Sequence, residues 1–377
     1  MPIALGWIGV CASAKAPKGP GNPVTAQLAL GEACAQDGAM NLQNLTFETQ
    51  LLDDVPSLMA LRAGLNTGVL RVLLNGPVAR ADIGPQTALP SDGLDTLLGL
   101  FRQCGMAGQE GDYWHLTPAM HALMVADPIA LKRRADFVAL AACDVLMHGD
   151  SLLSDPQAFQ RAAATFRFFR YDRALGTGAA HLEDTAPWAD YVSDLTAREG
   201  PDLGPLIPLE GVGHLLEVGG NTGVFARGLL ELNAGLRATV LDLPAVCHLG
   251  ARRRPEVLAD RLAFLAGDAR EIAWPAGDAV LFKSVLHDWT EEAAELMLNK
   301  AVQHVPVGGR VIICERGPIA AERVMHGATA AANLVFAQYY RPPEFYEAVL
   351  EAAGLRVLPR RSVTLDMAFH VVAGERV

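Results

Sequence analysis

The sequence predicts an α/β fold: a Rossmann-like, doubly wound and mostly parallel sheet in the second half of the chain, preceded by a mainly helical region. Three observations carry this. From His214 onward, five short apolar runs at 215–218, 238–241, 262–265, 279–282 and 310–314 alternate with helical text at 224–232, 245–252 and 291–304. Strands alternating with helices imply parallel pairing with crossover helices. The first of these runs ends in a glycine-rich turn that opens at once into a helix, Glu217-Val218-Gly219-Gly220-Asn221-Thr222-Gly223. Before His214 the apolar period is instead that of a helix, with Leu51, Leu52, Val55, Leu58, Met59 and Leu61 at spacings of three and four.

The elements follow in chain order. At 377 residues the chain is long for one core, and its 51% apolar and 19% charged residues leave ample material for two. Residues 1–40 contain the breaker cluster Lys15-Ala16-Pro17-Lys18-Gly19-Pro20-Gly21-Asn22-Pro23, so a flexible N-terminal arm is expected. Residues 41–130 give helices, punctuated at Asn75-Gly76-Pro77, then an amphipathic helix at 94–101 that ends by Gly105. A tight turn is expected over Gly108-Gln109-Glu110-Gly111-Asp112 and a short strand over 113–118. Helices followed by a small β unit are the order of a winged helix. Such units bind DNA or serve as dimerisation scaffolds. The net charge of −11 repels a phosphate backbone, and 94–101 is poor in Arg and Lys, so a scaffold is favoured and no nucleic-acid partner is expected.

Residues 131–205 read as a helical linker and substrate-wall region. Their aromatic cluster around Phe166 and Phe169 is core by composition, and becomes a candidate wall through its place between the two halves. Gly200-Pro201-Asp202-Leu203-Gly204-Pro205 reads as the hinge into a catalytic domain over 206–377. The six cysteines are scattered without a CxxC pair, which fits the reducing cytoplasm and predicts no metal site. No run of about 18 uncharged apolar residues occurs, so no membrane span is expected. The apolar run 3–14 lacks a preceding positive charge, and an export signal is not expected.

Four motifs carry chemistry. In the glycine turn, Gly219, Gly220 and Gly223 let backbone approach a ligand. Glu217, two positions ahead of the glycines, would repel a pyrophosphate yet attract the cationic end of a sulfonium amino acid. Asp242, followed by Leu243 and Pro244, ends the next strand, where an acid accepts hydrogen bonds from ribose hydroxyls; helix capping is its ordinary alternative. Asp268 and Ala269 follow the third strand, within reach of an adenine amino group. His287 follows the fourth strand on the carboxyl edge of the sheet, where open α/β sheets bind ligands, and Asp288 sits beside it: a candidate general base.

These motifs, in this order, resemble the class I S-adenosylmethionine-dependent methyltransferases, and more closely the plant-type small-molecule O-methyltransferases and their bacterial relatives. The resemblance covers about residues 45–375, and its most specific marker is His287-Asp288-Trp289. It implies S-adenosylmethionine as cofactor and S-adenosylhomocysteine as product, with Gly219 at the methionine end, Asp242 on the ribose, Asp268 near the adenine and Lys283 near the cofactor. It further implies His287 as base, Glu315 as the carboxylate orienting it, and a homodimer formed through the N-terminal domain. The chain departs from the family at Asn221, where a third glycine is usual. It departs again at Tyr339-Tyr340, where many plant members carry a second orienting glutamate.

A small-molecule acceptor with an acidic hydroxyl, phenolic or enolic and on an aromatic or polyketide-like skeleton, suits a single imidazole base. Phe166, Phe169, Trp188, Trp289, Met325, Asn333 and Phe336 are candidate wall residues. N- or C-methylation, or non-methylating chemistry on the same cofactor fold (hydroxylation, decarboxylation, pericyclic closure), stay open beside this reading. So does a winged-helix regulator with a ligand domain.

Overall fold

The computed structural model describes residues 42–319 and 327–377. The arm expected over 1–40 and the candidate wall residue Met325 lie outside the described residues. Residues 43–377 form one compact unit.

Local chemistry starts and stops the first helices. After α1 (Leu42–Asp53), the Asp54 side chain accepts the Ser57 N–H at 3.0 Å and caps α2 (Val55–Thr67). Gly68, at φ 82°, ends α2 and is followed by α3 (Val69–Leu74). Next come β1 (Val78–Ala79), α4 (Arg80–Ile83) and α5 (Ser91–Gln103). Helix α5 buries Leu94, Leu97, Leu98 and Phe101, one stripe at helical spacing. β2 (Ala107–Glu110) and β3 (Tyr113–Leu116) then pair antiparallel, and β1 adds to β3. The turn expected over 108–112 is therefore narrower than the sequence suggested. Gly108–Glu110 belongs to the ladder, and Gly111, at φ 57°, makes the reversal with Asp112.

The middle region is helical throughout: α6 (Pro118–Ala126), α7 (Pro128–Ser154), α8 (Pro156–Ala162), α9 (Ala164–Phe168) and α10 (Ala179–Leu203). By length and composition alone α7 could cross a membrane. It instead buries Phe137 and Ala141 in an aromatic core with Phe159 and Tyr191. The hinge expected over 200–205 is not a break. Helix α10 runs on through Gly200 and Pro201 to Leu203, which is fully buried, and a short 3-10 turn follows. A proline costs the helix one N–H bond. Here the helix ends two residues later, and burial of Glu199 and Leu203 holds that last turn in place.

The sheet begins with β4 (His214–Val218), α11 (Val224–Leu232), β5 (Arg237–Asp242), α12 (Pro244–Arg253) and β6 (Leu262–Ala266). It continues with β7 (Ala279–Lys283), α13 (Glu291–His304), β8 (Arg310–Arg316), α14 (Thr329–Leu334) and α15 (Pro343–Ala352), then β9 (Leu355–Val357), β10 (Arg361–Thr364) and β11 (Ala368–Arg376). Its order is β10-β11-β8-β7-β4-β5-β6, with β9 also on β11. Strands β4 to β8 pair parallel, and the inner four, β4, β5, β7 and β8, are buried on both faces, which is why they read as unbroken apolar runs, while β6 is a half-exposed edge strand. The chain moves outward from β4 to β6 and then returns to β7 on the other side of β4. That places the topological switch between β4 and β7, where a crevice opens at the carboxyl ends. The antiparallel closing strands β9 to β11 were not read from the sequence; β11 lies between β8 and β10.

Candidate active site

One cavity of about 970 Å³ occupies that crevice and extends under the helical region. Its floor is the sheet edge: Gly219 and Asn221 after β4, Asp242 and Leu243 at the end of β5, Asp268 and Ala269 after β6, and Lys283, Ser284, Val285 and His287 at the end of β7 and beyond it. Its far wall comes from α7, the segment after α9, α10 and the segment around α14, and includes Phe137, Phe169, Trp188, Tyr191, Asn333 and Phe336.

The glycine turn is shaped by close packing. A side chain at Gly219 would bring its Cβ to 2.6 Å from Val285 Cγ2, and one at Gly220 would reach 2.6 Å from the Glu217 carboxyl carbon. Asn221, where a third glycine is usual, takes φ 51°. Asparagine tolerates this left-handed backbone better than most residues, and its Nδ2 donates to the Ala189 carbonyl of α10 at 2.9 Å. Its Oδ1 is buried without a protein partner among the described residues, as are Trp188 Nε1 and Ser284 Oγ.

Glu217 does not line the cavity, and neither do Gly220 and Gly223. The Glu217 carboxylate lies under the start of α11, accepts the Ala226 N–H at 3.1 Å, and is pushed up to about 8 by burial. Its expected attraction to a ligand cation is corrected accordingly. A carboxyl group largely neutral at pH 7 and turned into the fold braces the turn. Gly220 supplies the space for it.

Asp242 accepts the Asn221 N–H on one oxygen and the Leu243 N–H on the other, both at 2.7 Å, and burial raises its pKa to about 6. Asp268 is paired with Arg270, whose guanidinium lies 4.4 Å over the Trp289 ring. Trp289 therefore lines the cavity beside Arg270 and Asp268. Lys283 reaches the cavity, but its charge is taken up by Glu199 at 2.5 Å.

His287 sits on a 3-10 turn spanning Leu286–Asp288. Its Nδ1 is 2.7 Å from Glu315 Oε2, while Glu315 Oε1 accepts the Val285 and Leu286 N–H groups, each at 2.7 Å. One buried carboxylate thus fixes both the loop and the ring. It selects the tautomer with Nδ1–H toward Glu315 and leaves Nε2 as the proton acceptor. Burial disfavours the imidazolium, and the charges of Glu315 and Asp288 outweigh it, so the His287 pKa lies above its ordinary 6.5. Asp288 approaches Nε2 at 3.6 Å and accepts the Tyr171 hydroxyl at 2.9 Å. Arg341, missed in the sequence, donates to the carbonyls of Leu286 (2.8 Å) and Trp289 and so holds the loop from behind. Tyr340, one of the two tyrosines where a second glutamate is usual, presents its ring edge-on to His287, centroids 5.5 Å apart.

Of the expected wall, Phe169, Trp188, Trp289, Asn333 and Phe336 line the cavity. Phe166 does not; it packs behind, against Phe159, Phe336 and Tyr339. The correction has a simple cause. Phe166 and Phe169 lie on either side of the end of α9, so they leave that helix in different directions.

A buried imidazole–carboxylate pair opening into a crevice at the switch point of a parallel sheet places a proton-accepting group at the ligand-binding edge of a doubly wound α/β protein. Residues 165–356, just over half of the chain, match the O-methyltransferase domain family, and the protein belongs to that family. Demethylspheroidene O-methyltransferase of Cereibacter sphaeroides is 32% identical over 168 residues, which are 43% of this chain and 44% of that one. The chain thus spans less than half the length of that relative. 3-Hydroxy-5-methyl-1-naphthoate 3-O-methyltransferase of Streptomyces sahachiroi is 27% identical across 72% of this chain and 76% of its own. The fold matches human N-acetylserotonin methyltransferase in complex with S-adenosylmethionine, at TM-score 0.66 and 16% identity, over 91% of this chain and 99% of that one.

Proposed function

We propose that the protein transfers a methyl group from S-adenosylmethionine to a phenolic or enolic hydroxyl of a small aromatic or polyketide-like molecule, with His287 as general base. The observation that carries this reading is the His287–Glu315 pair opening into the same cavity as the Asp242 edge. When bound, S-adenosylmethionine supplies an electrophilic methyl group. The residues fit it. Each Asp242 oxygen already accepts one backbone N–H and keeps a second lone pair for a ribose hydroxyl. Gly219 leaves backbone bare at the cavity floor, and Asn221 Oδ1 is an acceptor in want of a donor. Asp268 and Ala269 would face the adenine.

His287 Nε2 takes the hydroxyl proton as the oxygen attacks. A phenol near pKa ~10 and a histidine near ~6.5 are about 3.5 units apart, or about 5 kcal/mol against full prior transfer. The raised His287 pKa narrows that gap, and Glu315 stabilises the imidazolium that forms. Asp288 and Tyr171 close the other side of the ring. The aromatic wall excludes water and holds a flat acceptor against the imidazole. We extend the proposal to a homodimer, supported by the exposed apolar residues Val55 and Met59 on α2 and Leu146 and Met147 on α7. Light scattering at the monomer mass would remove that extension.

The test is calorimetric titration with S-adenosylhomocysteine, followed by an acceptor screen read by mass. Micromolar binding and products heavier by one CH2 unit are expected. A folded protein that binds no S-adenosylhomocysteine would overturn the proposal.

A further inference from the structure

Along the cavity runs a row of alternating charges, buried at Lys283, Glu199 and Arg316 and open at Asp366, that the methyl-transfer chemistry does not use. Lys283 meets Glu199 Oε2, Arg316 Nη2 meets Glu199 Oε1, and the same Nη2 lies 3.3 Å from Asp366. Strand alternation explains the placing. Glu315 and Arg316 are consecutive at the end of β8, so Glu315 turns to the His287 loop and Arg316 to the opposite face, toward α10. There the guanidinium lies 4.4 Å over the Phe369 ring. That pairing and stacking fix its plane.

Both carboxylates engage Nη2. Nε is sealed and without a partner, and among the described residues no protein acceptor takes the Nη1 N–H groups. The residue lines the cavity and keeps 6% of its side chain accessible, next to Tyr191, Tyr340, Asn333 and Asp366 on the same wall. Tyr340 in turn contacts His287. Arg316 therefore borders the cavity on the wall that also carries Tyr340 and Asn333.

Resting on the methyl-transfer reading above, we infer that Arg316 is a specificity-determining residue, which receives a neutral hydrogen-bond-accepting oxygen, such as a ketone or quinone carbonyl, on the acceptor's ring system remote from the methylated hydroxyl. Neutrality follows from the charge balance. Two cations, Lys283 and Arg316, already match two anions, the buried Glu199 and the more open Asp366. A carboxylate on the acceptor would add an uncompensated charge there, next to Glu315 and Asp288. A carbonyl takes the free N–H groups at no such cost.

The experiment uses three probes on the full chain: a naphthol, a hydroxytetralone whose carbonyl lies on the ring remote from the hydroxyl, and the corresponding hydroxynaphthoate. Affinities are measured by calorimetry with and without saturating S-adenosylhomocysteine, for wild type and Arg316→Lys. The lysine keeps the charge that Glu199 and Asp366 require but loses the planar fork. The expected result is wild-type preference for the hydroxytetralone by about tenfold or more over both other probes, narrowing to threefold or less in Arg316→Lys. Naphthol and S-adenosylhomocysteine affinities should stay unchanged. Equal wild-type affinities, no binding of any probe, tightest binding of the hydroxynaphthoate, or an undiminished preference in Arg316→Lys would each overturn the assignment. A lack of wild-type selectivity overturns the assignment even if Arg316→Lys does not fold, and Arg316→Gln, which keeps an N–H donor and loses the charge, then serves as the second variant, with the same narrowing expected. S-adenosylhomocysteine binding reports separately on the methyl-transfer reading.

Discussion

The two ends of the cavity are built in different ways. The cofactor-side edge is a row of strand ends: Gly219, Asp242, Asp268 and Lys283 each lie at the end of a parallel strand or within two residues of it, within 65 residues of sequence. The acceptor wall gathers Phe137, Phe169, Trp188, Asn333 and Phe336 from four separate segments, spread over 200 residues. At the first end, position in the sheet fixes function, because each strand must deliver its last residue to the same edge. At the second, packing fixes it, and neighbouring aromatic residues differ in fate: Phe169 faces the cavity and Phe166 faces the core. The His287 loop is the seam. It rises from the sheet, is tied to it by Glu315, and touches Tyr340 and Phe336 of the wall.

That contrast can be broken in a graded way. The largest effect is expected at the seam: His287→Ala should lower turnover by about 10²–10⁴-fold, with S-adenosylhomocysteine affinity within about twofold of wild type by calorimetry. Retained turnover would remove His287 as the base. Next, Asp242→Ala should weaken S-adenosylhomocysteine about ten- to a hundredfold, as expected for lost hydrogen bonds to a charged group. In the wild type that affinity should fall as pH drops through about 6, where the buried Asp242 protonates. A pH-independent affinity would show that the ionised carboxylate does not hold the ligand.

A smaller effect sharpens the role of the orienting carboxylate. The proposed base must be neutral to accept a proton, and the His287 pKa is raised, so the acid limb of kcat/KM should lie above pH 6.5 and activity should rise through it. Glu315→Gln removes the charge that favours the imidazolium, so the limb should move to lower pH while the plateau drops. A plateau loss with an unmoved limb would assign Glu315 a purely structural role. The smallest effect belongs to Phe166→Leu. Behind the wall, it should cost about 1 kcal/mol of stability in a denaturant titration and leave both ligand affinities unchanged. A changed acceptor KM would return Phe166 to the wall.

Much of the cofactor-side edge was legible because its signals are local. The apolar runs of β4 to β8 match the observed strands to within two residues, and the helices at 224–232 and 291–304 coincide with α11 and α13. His287 and Glu315 were paired by resemblance, and the structure sets them 2.7 Å apart. What failed was also local in origin. Gly200-Pro201 was read as a hinge from composition, yet packing carried α10 through it. Glu217 was read as a ligand residue from its place before the glycines, yet the pleat turned it under α11.

The sequence by itself determined the alternating α/β order, the strand ends that carry Asp242, Asp268 and His287, and the glycine turn. These depend on periodicity and on backbone freedom, which neighbouring residues specify. The tertiary structure alone decided which aromatic residues face the cavity, that Arg341 holds the His287 loop, and that Lys283, Glu199, Arg316 and Asp366 form one row. Such contacts join residues 50 to 117 positions apart. Strand register and helix packing choose those partners, and neither is written in any short stretch of the chain.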